Sequence, residues 1–314
     1  MKHNYKIREY NDILNLFEQG KISTEYVIKR LSENDNIPTI KEENLEVLMK
    51  ELHRLIGLDS VKKLIQEIQA FIMIQEKRKS EGLVSTPIVL HMIFKGSPGT
   101  GKTTVARLLG RIFCEIGVLE KGHVIEVERA DLVGEYIGHT AVKVRDHIKK
   151  SLGGIMFIDE AYSLARGGEK DFGKEAIDAM VKGMEDHKEN LILILAGYRN
   201  EMDIFLQSNP GLKSRFPIHI DFPDYSLEEL IAIAEVMVKE RQYELSISAK
   251  ARLSKILSQQ RVGDKENSGN ARLVRNIIER AIRKQAIRLQ NCGSFSKEDL
   301  ITLKREDITE EDHL

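Results

Sequence analysis

Residues 88–113 read IVLHMIFKGSPGTGKTTVARLLGRIF, and the middle of that stretch decides the fold. An apolar run at 88–94 is followed by GSPGTGKT at 96–103, a full match to G-x-x-x-x-G-K-[ST]. Val105, Ala106, Leu108, Leu109, Ile112 and Phe113 then recur at helical spacing. A strand, a glycine-rich turn and a helix in that order turn successive backbone N–H groups inward at the positive end of the helix, where they hold phosphate oxygens. Gly96, Gly99 and Gly101 allow the tight backbone, and Ser97, Pro98 and Thr100 complete the loop. Lys102 is expected to reach the β and γ phosphates and the Thr103 hydroxyl to ligate Mg²⁺, with Thr104 beside them at the start of the helix. A chance turn containing Lys and Thr would lack this strand-to-helix setting.

Outward from the loop, further apolar runs occur at 123–128 (HVIEVE), 155–158 (IMFI), 191–196 (LILILA) and 218–222 (IHIDF), with helical patterns between them. Runs without polar alternation suit strands buried on both faces, so the pattern predicts an α/β fold, a parallel sheet with flanking crossover helices. The run at 155–158 ends in Asp159 and Glu160, which it would deliver to the C-terminal edge of the sheet, where α/β proteins bind ligands. Asp159 is expected to hold the magnesium, and Glu160 to polarise a water against the γ phosphate. Together the two segments read as a site for ATP and Mg²⁺ with hydrolytic chemistry.

Residues 1–45 are polar and contain SENDNIPTIKEEN, which reads as an arm and linker. From Ser60, the residues Val61, Leu64, Ile65, Ile68, Phe71 and Ile72 mark an amphipathic helix entering the main domain, 46–223. After Pro223 the strand signals stop. Ser226 and Glu229 form a capping box, and helical patterns at about 248–260 and 270–290 predict a smaller helical domain over 224–314.

With 48 Lys plus Arg against 49 Asp plus Glu in 314 residues, no overall field draws the chain to nucleic acid or an anionic membrane. No stretch is apolar enough to span a bilayer and the first residues carry no signal, so a cytoplasmic protein is expected. Cys114 and Cys292 lack any metal-ligand spacing and read as buried reduced thiols.

These motifs, with a helical domain behind them, resemble an AAA+ ATPase and more narrowly the CbxX/CfqX family, including its sporulation branch. The resemblance rests on FKGSPGTGKTTVARLLG at 94–110, ERADLVGEYIGHTA at 128–141, SLGGIMFIDEAYSLARGGEKDFGKEAID at 151–178, LILILAGYRNEMD at 191–203 and NPGLKSRFPIHIDFPDYS at 209–226. It implies that Arg215 is an arginine finger acting across a subunit boundary and that Arg272, in GNAR, is the sensor 2 arginine of the lid. It implies that Tyr198 or Asn200 is sensor 1, the first aligned by position and the second favoured by chemistry. Gly57 and Leu58 resemble the segment lining the adenine pocket. Tyr136, Ile137 and Gly138 resemble a pore loop that grips an extended polypeptide. The implied protein is a homo-oligomer, a hexameric ring that remodels or threads a protein partner during sporulation, with no membrane partner. A remodeller of one enzyme, like the family's Rubisco activases, and a nucleic-acid-linked loader or helicase are the alternatives; the arginines along 272–288 have no interleaved aromatics, which weighs against nucleic acid.

Overall fold

The apolar runs become five strands of one parallel sheet: β1 (Met92–Gly96), β2 (Val124–Val127), β3 (Gly154–Ile158), β4 (Leu191–Gly197) and β5 (Ile218–Phe222), in the order β2-β3-β4-β1-β5. The computed structural model describes residues 42–84, 89–136, 138–166, 171–263 and 269–310. Almost the whole of the arm read at 1–45 lies outside these residues. Every pairing in the large sheet is parallel, and β4 lies between β1 and β3, with Phe94 opposite Ala196 and Ile158 opposite Leu195. The loop after β1 and the acidic pair after β3 therefore leave the same edge of the sheet, with the end of β4 between them.

The central strands β1, β3 and β4 are buried on both faces, their successive side chains alternating between them, whereas the edge strands, contrary to the pattern, are not: β2 exposes Glu126, and β5 exposes His219 and Asp221. Phe94 and Phe157 pack on one face, where Phe94 also meets Phe222 at 4.9 Å between ring centroids; Ile93, Met156 and Ile158 pack on the other. Two helices precede the sheet, α1 (Glu42–Arg54) and α2 (Asp59–Ser80). Val61, Ile65, Ile68 and Ile72 on α2 fall at three- and four-residue intervals and bury one stripe. Within the α/β unit follow α3 (Lys102–Glu115), α4 (Arg129–Leu132), α5 (His139–Ser151), a 3-10 turn at Ala161–Ala165, α6 (Gly173–Asp186), α7 (Arg199–Ser208) and α8 (Pro210–Arg215).

Beyond β5 the lid comprises α9 (Leu227–Glu240), α10 (Ile247–Gly263), α11 (Asn270–Asn291) and α12 (Lys297–Ile301). Ser226 caps α9: its hydroxyl accepts from the Glu229 N–H at 3.1 Å, and its own N–H donates to the Glu229 carboxylate at 2.7 Å. Strands do not stop at Pro223, contrary to the pattern. Residues Glu244–Leu245 and Thr302–Leu303 form a second, two-stranded parallel sheet, too short to show a period of two. Buried Gln285 on α11 holds its far strand by donating to the carbonyls of Asp299, Leu300 and Thr302. The thiols also differ from expectation. Cys114 is half-buried and Cys292 exposed, because Cys292 follows the last turn of α11 rather than facing a partner helix.

Just before β1, His91 is 4% exposed; its Nδ1 accepts the Leu193 N–H at 3.1 Å, and its ring lies 5.8 Å from that of Phe216. Burial lowers its pKa to about 4. The unfolded chain, with an ordinary value near 6.5, takes the proton more readily, so stability falls as pH drops through the window from about 6.5 to 4. The full loss is on the order of 3 kcal/mol. Denaturant titrations between pH 7 and 4.5 are expected to show a shallower acid decline in His91→Gln than in the parent; equal slopes would mean that this ring does not drive the decline.

Candidate active site

The loop after β1 is shaped by two left-handed glycines, Gly99 at φ 74° and Gly101 at φ 95°. A side chain at either would be strained, and at Gly99 a Cβ would also lie 2.5 Å from the Gly269 carbonyl oxygen. Between them Thr100 is buried, its hydroxyl donating to the Ser97 carbonyl at 2.8 Å. Gly101 is the N-cap of α3, a 14-residue helix, and, having no side chain, it offers nothing to the first-turn N–H groups. Lys102, Thr103 and Thr104 sit in that turn. The Lys102 ammonium donates to the carbonyls of Gly96 and Ser97, at 2.8 and 2.9 Å. Burial lowers its pKa, opposed by the negative charges of Asp159, Asp224 and Glu160.

Asp159 and Glu160 emerge exposed from the buried strand β3. Glu160 adopts a left-handed backbone, φ 46° and ψ 43°, unusual for a residue with a β-carbon and costing on the order of 1 kcal/mol or more. The conformation is held on both sides. The Glu160 N–H donates to the Asp159 carboxylate at 3.0 Å, and its carbonyl accepts the Ser163 N–H at 2.8 Å.

A cavity of about 770 Å³ opens beside this pair, lined by Gly96, Ser97, Glu160, Tyr198, Asn200 and Asp224 among others. On the other side of Glu160 a second space of about 760 Å³ is lined by Arg129, Lys143, Asp159 and Arg272. A third, apolar slot of about 260 Å³ runs between Ile56 and Leu58, the loop at Gly99 and Gly101, and the lid residues Tyr225, Met237 and Ala271. Gly57 precedes Leu58, which is itself left-handed at φ 59°.

The structure thus brings together Gly96 to Thr104, Asp159, Glu160, Tyr198, Asn200 and Arg272. Tyr198 follows β4 between the loop and the acidic pair, and its pKa is raised, first by burial and then by Glu160 and Glu201, against the opposing charge of Arg272. Asn200 lies on the first turn of α7 and lines the same cavity. Arg215 stands apart. At the end of α8 its Nε donates to Glu185 at 2.6 Å and its Nη1 to the Gly211 carbonyl at 2.9 Å, and it lines none of the three spaces. Tyr136 lines none of the three spaces either, although Gly134 and Glu135 just before it line the second; it is 66% exposed, with its ring 5.4 Å from that of His139. Gly138 caps α5 at φ 82°, and Ile137 lies outside the described residues.

Sequence reasoning missed several neighbours of the site. The Tyr162 ring lies 6.2 Å from that of Tyr198, tilted by 51°, and carries Arg166 over it at 4.5 Å. Arg129 bridges the Ser163 carbonyl and Asp171, tying α4 to the segment after Glu160. Asp224, Tyr225 and Asn270 also converge on the loop. Only Asn270 left a signal, as an Asn before a helix within GNAR; the others have no local pattern.

The site can hold Mg-ATP: hydroxyl and carboxylate are the hard oxygen ligands that magnesium prefers, and it is commonly held by one or two of them together with substrate phosphates. No group of three or more His, Cys, Asp or Glu that could hold a metal ion occurs among the described residues.

Residues 92–224 match the family described as "ATPase family associated with various cellular activities (AAA)", and 226–313 match the AAA lid domain. Stage V sporulation protein K of Bacillus subtilis (strain 168) is 57% identical over 266 residues, covering 84% of this chain and 83% of the relative. A CfxQ homolog of Guillardia theta is 45% identical over 284 residues, covering 88% and 96%. The chain is an AAA ATPase of the CbxX/CfqX family. The chloroplastic ribulose bisphosphate carboxylase/oxygenase activase of Cyanidioschyzon merolae is 44% identical to this AAA ATPase over 272 residues, covering 85% and 92%. The AAA domain of FIGL-1, solved in complex with ADP, superposes with a TM-score of 0.54 at 15% identity, covering 81% of this chain and 80% of that one, and shares the fold. Members of the AAA family typically form oligomeric rings and bind ATP. Among the described residues of this AAA ATPase, no helix is long and apolar enough to cross a membrane.

Proposed function

We propose that this ATPase works as a homo-oligomeric, hexameric ring in the cytoplasm and couples hydrolysis of Mg-ATP to remodelling or threading of a protein partner, in sporulation where the cell forms spores. In this reading the lid begins at 224 and the α/β unit spans 46–223. The loop N–H groups and Lys102 bind the phosphates, and Ile56 to Leu58, with the lid, take the base. Thr103 and Asp159 would hold magnesium, which when bound neutralises phosphate charge. Glu160 accepts the proton of the attacking water, and Tyr198 or Asn200 and Arg272 sense the γ phosphate. Arg215 completes the site of the neighbouring subunit, as expected of a group that lines none of the three spaces around its own chain's loop and acidic pair.

The observation that carries the protein-remodelling reading is Tyr136. A tyrosine anchoring its loop would be buried, yet this one is 66% exposed on the turn before α5. Balanced charge weighs against a nucleic-acid-linked motor. The 44% identical activase favours, as a second reading, a partner that is one specific enzyme.

The test is Tyr136→Ala, with a fluorescent protein carrying an unstructured tail as probe. ATP-driven loss of fluorescence is expected to disappear, with hydrolysis in the absence of probe retained within about two-fold, as expected for an exposed side chain that lines none of the three spaces. A fall of many degrees in melting temperature would instead mean that Tyr136 is a packing residue, and strong stimulation of turnover by DNA or RNA would favour the nucleic-acid class.

A further inference from the structure

Three successive carbonyls of the phosphate-binding loop accept hydrogen bonds from outside the loop. The Pro98 oxygen accepts from Asn270 Nδ2 at 3.4 Å, the Gly99 oxygen from the Ala271 N–H at 3.1 Å and the Thr100 oxygen from the Tyr225 hydroxyl at 3.1 Å. Two of the donors are on the first turn of the lid helix α11, and the third lies between β5 and the lid.

Asn270 joins the two. Its Oδ1 accepts the Tyr225 N–H at 3.0 Å, and its Nδ2 also donates to Asp224 at 2.8 Å. The residue is fully buried and left-handed at φ 45°, a conformation that asparagine tolerates better than other residues with a β-carbon. Contact there is so close that a Cβ on Gly99 would meet the Arg272 nitrogen at 2.8 Å. The bend at Asn270 also sets the direction from which Arg272, two residues on, approaches Asp159 and Glu160.

In a peptide unit the C=O and N–H point in opposite directions, so fixing these three carbonyls outward fixes the intervening N–H groups inward. We infer that Asn270 and Tyr225 are positioning residues that shape the phosphate-binding loop from the lid side, holding its N–H groups in the orientation that binds phosphate and so raising affinity for nucleotide.

This inference rests on Gly96 to Thr103 being the phosphate site, and the variants separate the two claims. Tyr225→Phe deletes one donor and little else; Asn270→Gly keeps the left-handed backbone and deletes the side chain. ATP affinity, measured by titration of the full chain, is expected to fall about three- to ten-fold in Tyr225→Phe, the effect of one such hydrogen bond, and about ten-fold or more in Asn270→Gly. The KM for ATP rises with kcat little changed, whereas a partly misfolded preparation lowers kcat and leaves KM alone. ATP slows hydrogen exchange at the Ala271 amide in the parent and fails to do so in Asn270→Gly. Tyr225→Phe carries the test alone if Asn270→Gly does not fold. Parent-like affinity, within two-fold, in Tyr225→Phe and in any folded Asn270→Gly overturns the inference, and does so with the phosphate site intact if Lys102→Ala still abolishes binding. Normal binding by Lys102→Ala overturns the phosphate site itself.

Discussion

Arg215→Ala is expected to bind ATP almost as the parent does and to hydrolyse it about 10³–10⁵ times more slowly, the range that an arginine supplied to a transferring phosphoryl group contributes in related enzymes. The geometry makes the separation of binding from turnover sharp, because neither Arg215 nor its hydrogen-bond partners Glu185 and Gly211 line the nucleotide spaces of its own chain. Its pair with Glu185 is half-exposed, the two side chains retaining 37% and 55% of their accessible surface. Pairs of that kind are worth about 0–1 kcal/mol, so releasing Arg215 toward another subunit costs little against the rate at stake. Complementation provides the decisive measurement. A Lys102→Ala subunit has no working nucleotide site but a sound Arg215, and an Arg215→Ala subunit has the reverse. Mixed under conditions that permit exchange, the two inactive proteins are expected to recover part of the activity. Rings shown to contain both and still inert would place Arg215 outside the neighbour's site.

The second large effect is expected at Glu160→Gln, where turnover should drop about 10²–10⁴-fold, the usual contribution of a general base, while ATP remains bound. Glutamine matches the shape of glutamate, so the left-handed turn between Asp159 and Ser163 can persist while the proton acceptor is lost. Lys102→Ala should fail earlier, at binding, since the phosphates lose their main cationic partner. Single-turnover hydrolysis alongside ATP titration distinguishes the two defects. Hydrolysis by Glu160→Gln at close to the parent rate would assign the base to another group, and Glu128, lining the space beside Glu160, would then be the residue to change.

Much of this arrangement was legible in the chain because its parts are local. GSPGTGKT carries the strand, turn and helix within a few residues, and IMFI ending in Asp159 and Glu160 announces a buried strand delivering two carboxylates. The parallel sheet follows from the unbroken apolar runs MIF, IMFI and LILILA of its central strands, and the capping box from Ser226 and Glu229 three residues apart. What escaped depends on distance in sequence. Gln285 gathers carbonyls from 299 to 302, and the two-residue strands it steadies have no period to read. Tyr225 and Asn270 meet the loop from more than a hundred residues further along the chain, and nothing in FPDYS marks a tyrosine whose hydroxyl reaches Thr100. Exposure of Tyr136 and burial of His91 are likewise products of packing. Sensor 1 shows both sides: alignment indicated Tyr198 and chemistry Asn200, and the strand order puts Tyr198 between the loop and the acidic pair without removing Asn200 from the same cavity.

The apolar slot has a consequence for how this enzyme can be divided. Its walls come from residues 54–58, from the loop at 99–104 and from 225–275, three stretches that meet only in the folded protein. A fragment trimmed to 92–224 would keep every motif that reads as catalytic, Lys102, Asp159, Glu160 and Arg215 included, and still lack two of the three surfaces that enclose a base. On the reading that this slot takes the base, such a core recognises a triphosphate tail but does not tell one nucleoside from another; selectivity then belongs to the assembly of the parts, and the unit that possesses it includes Arg54 through Arg275.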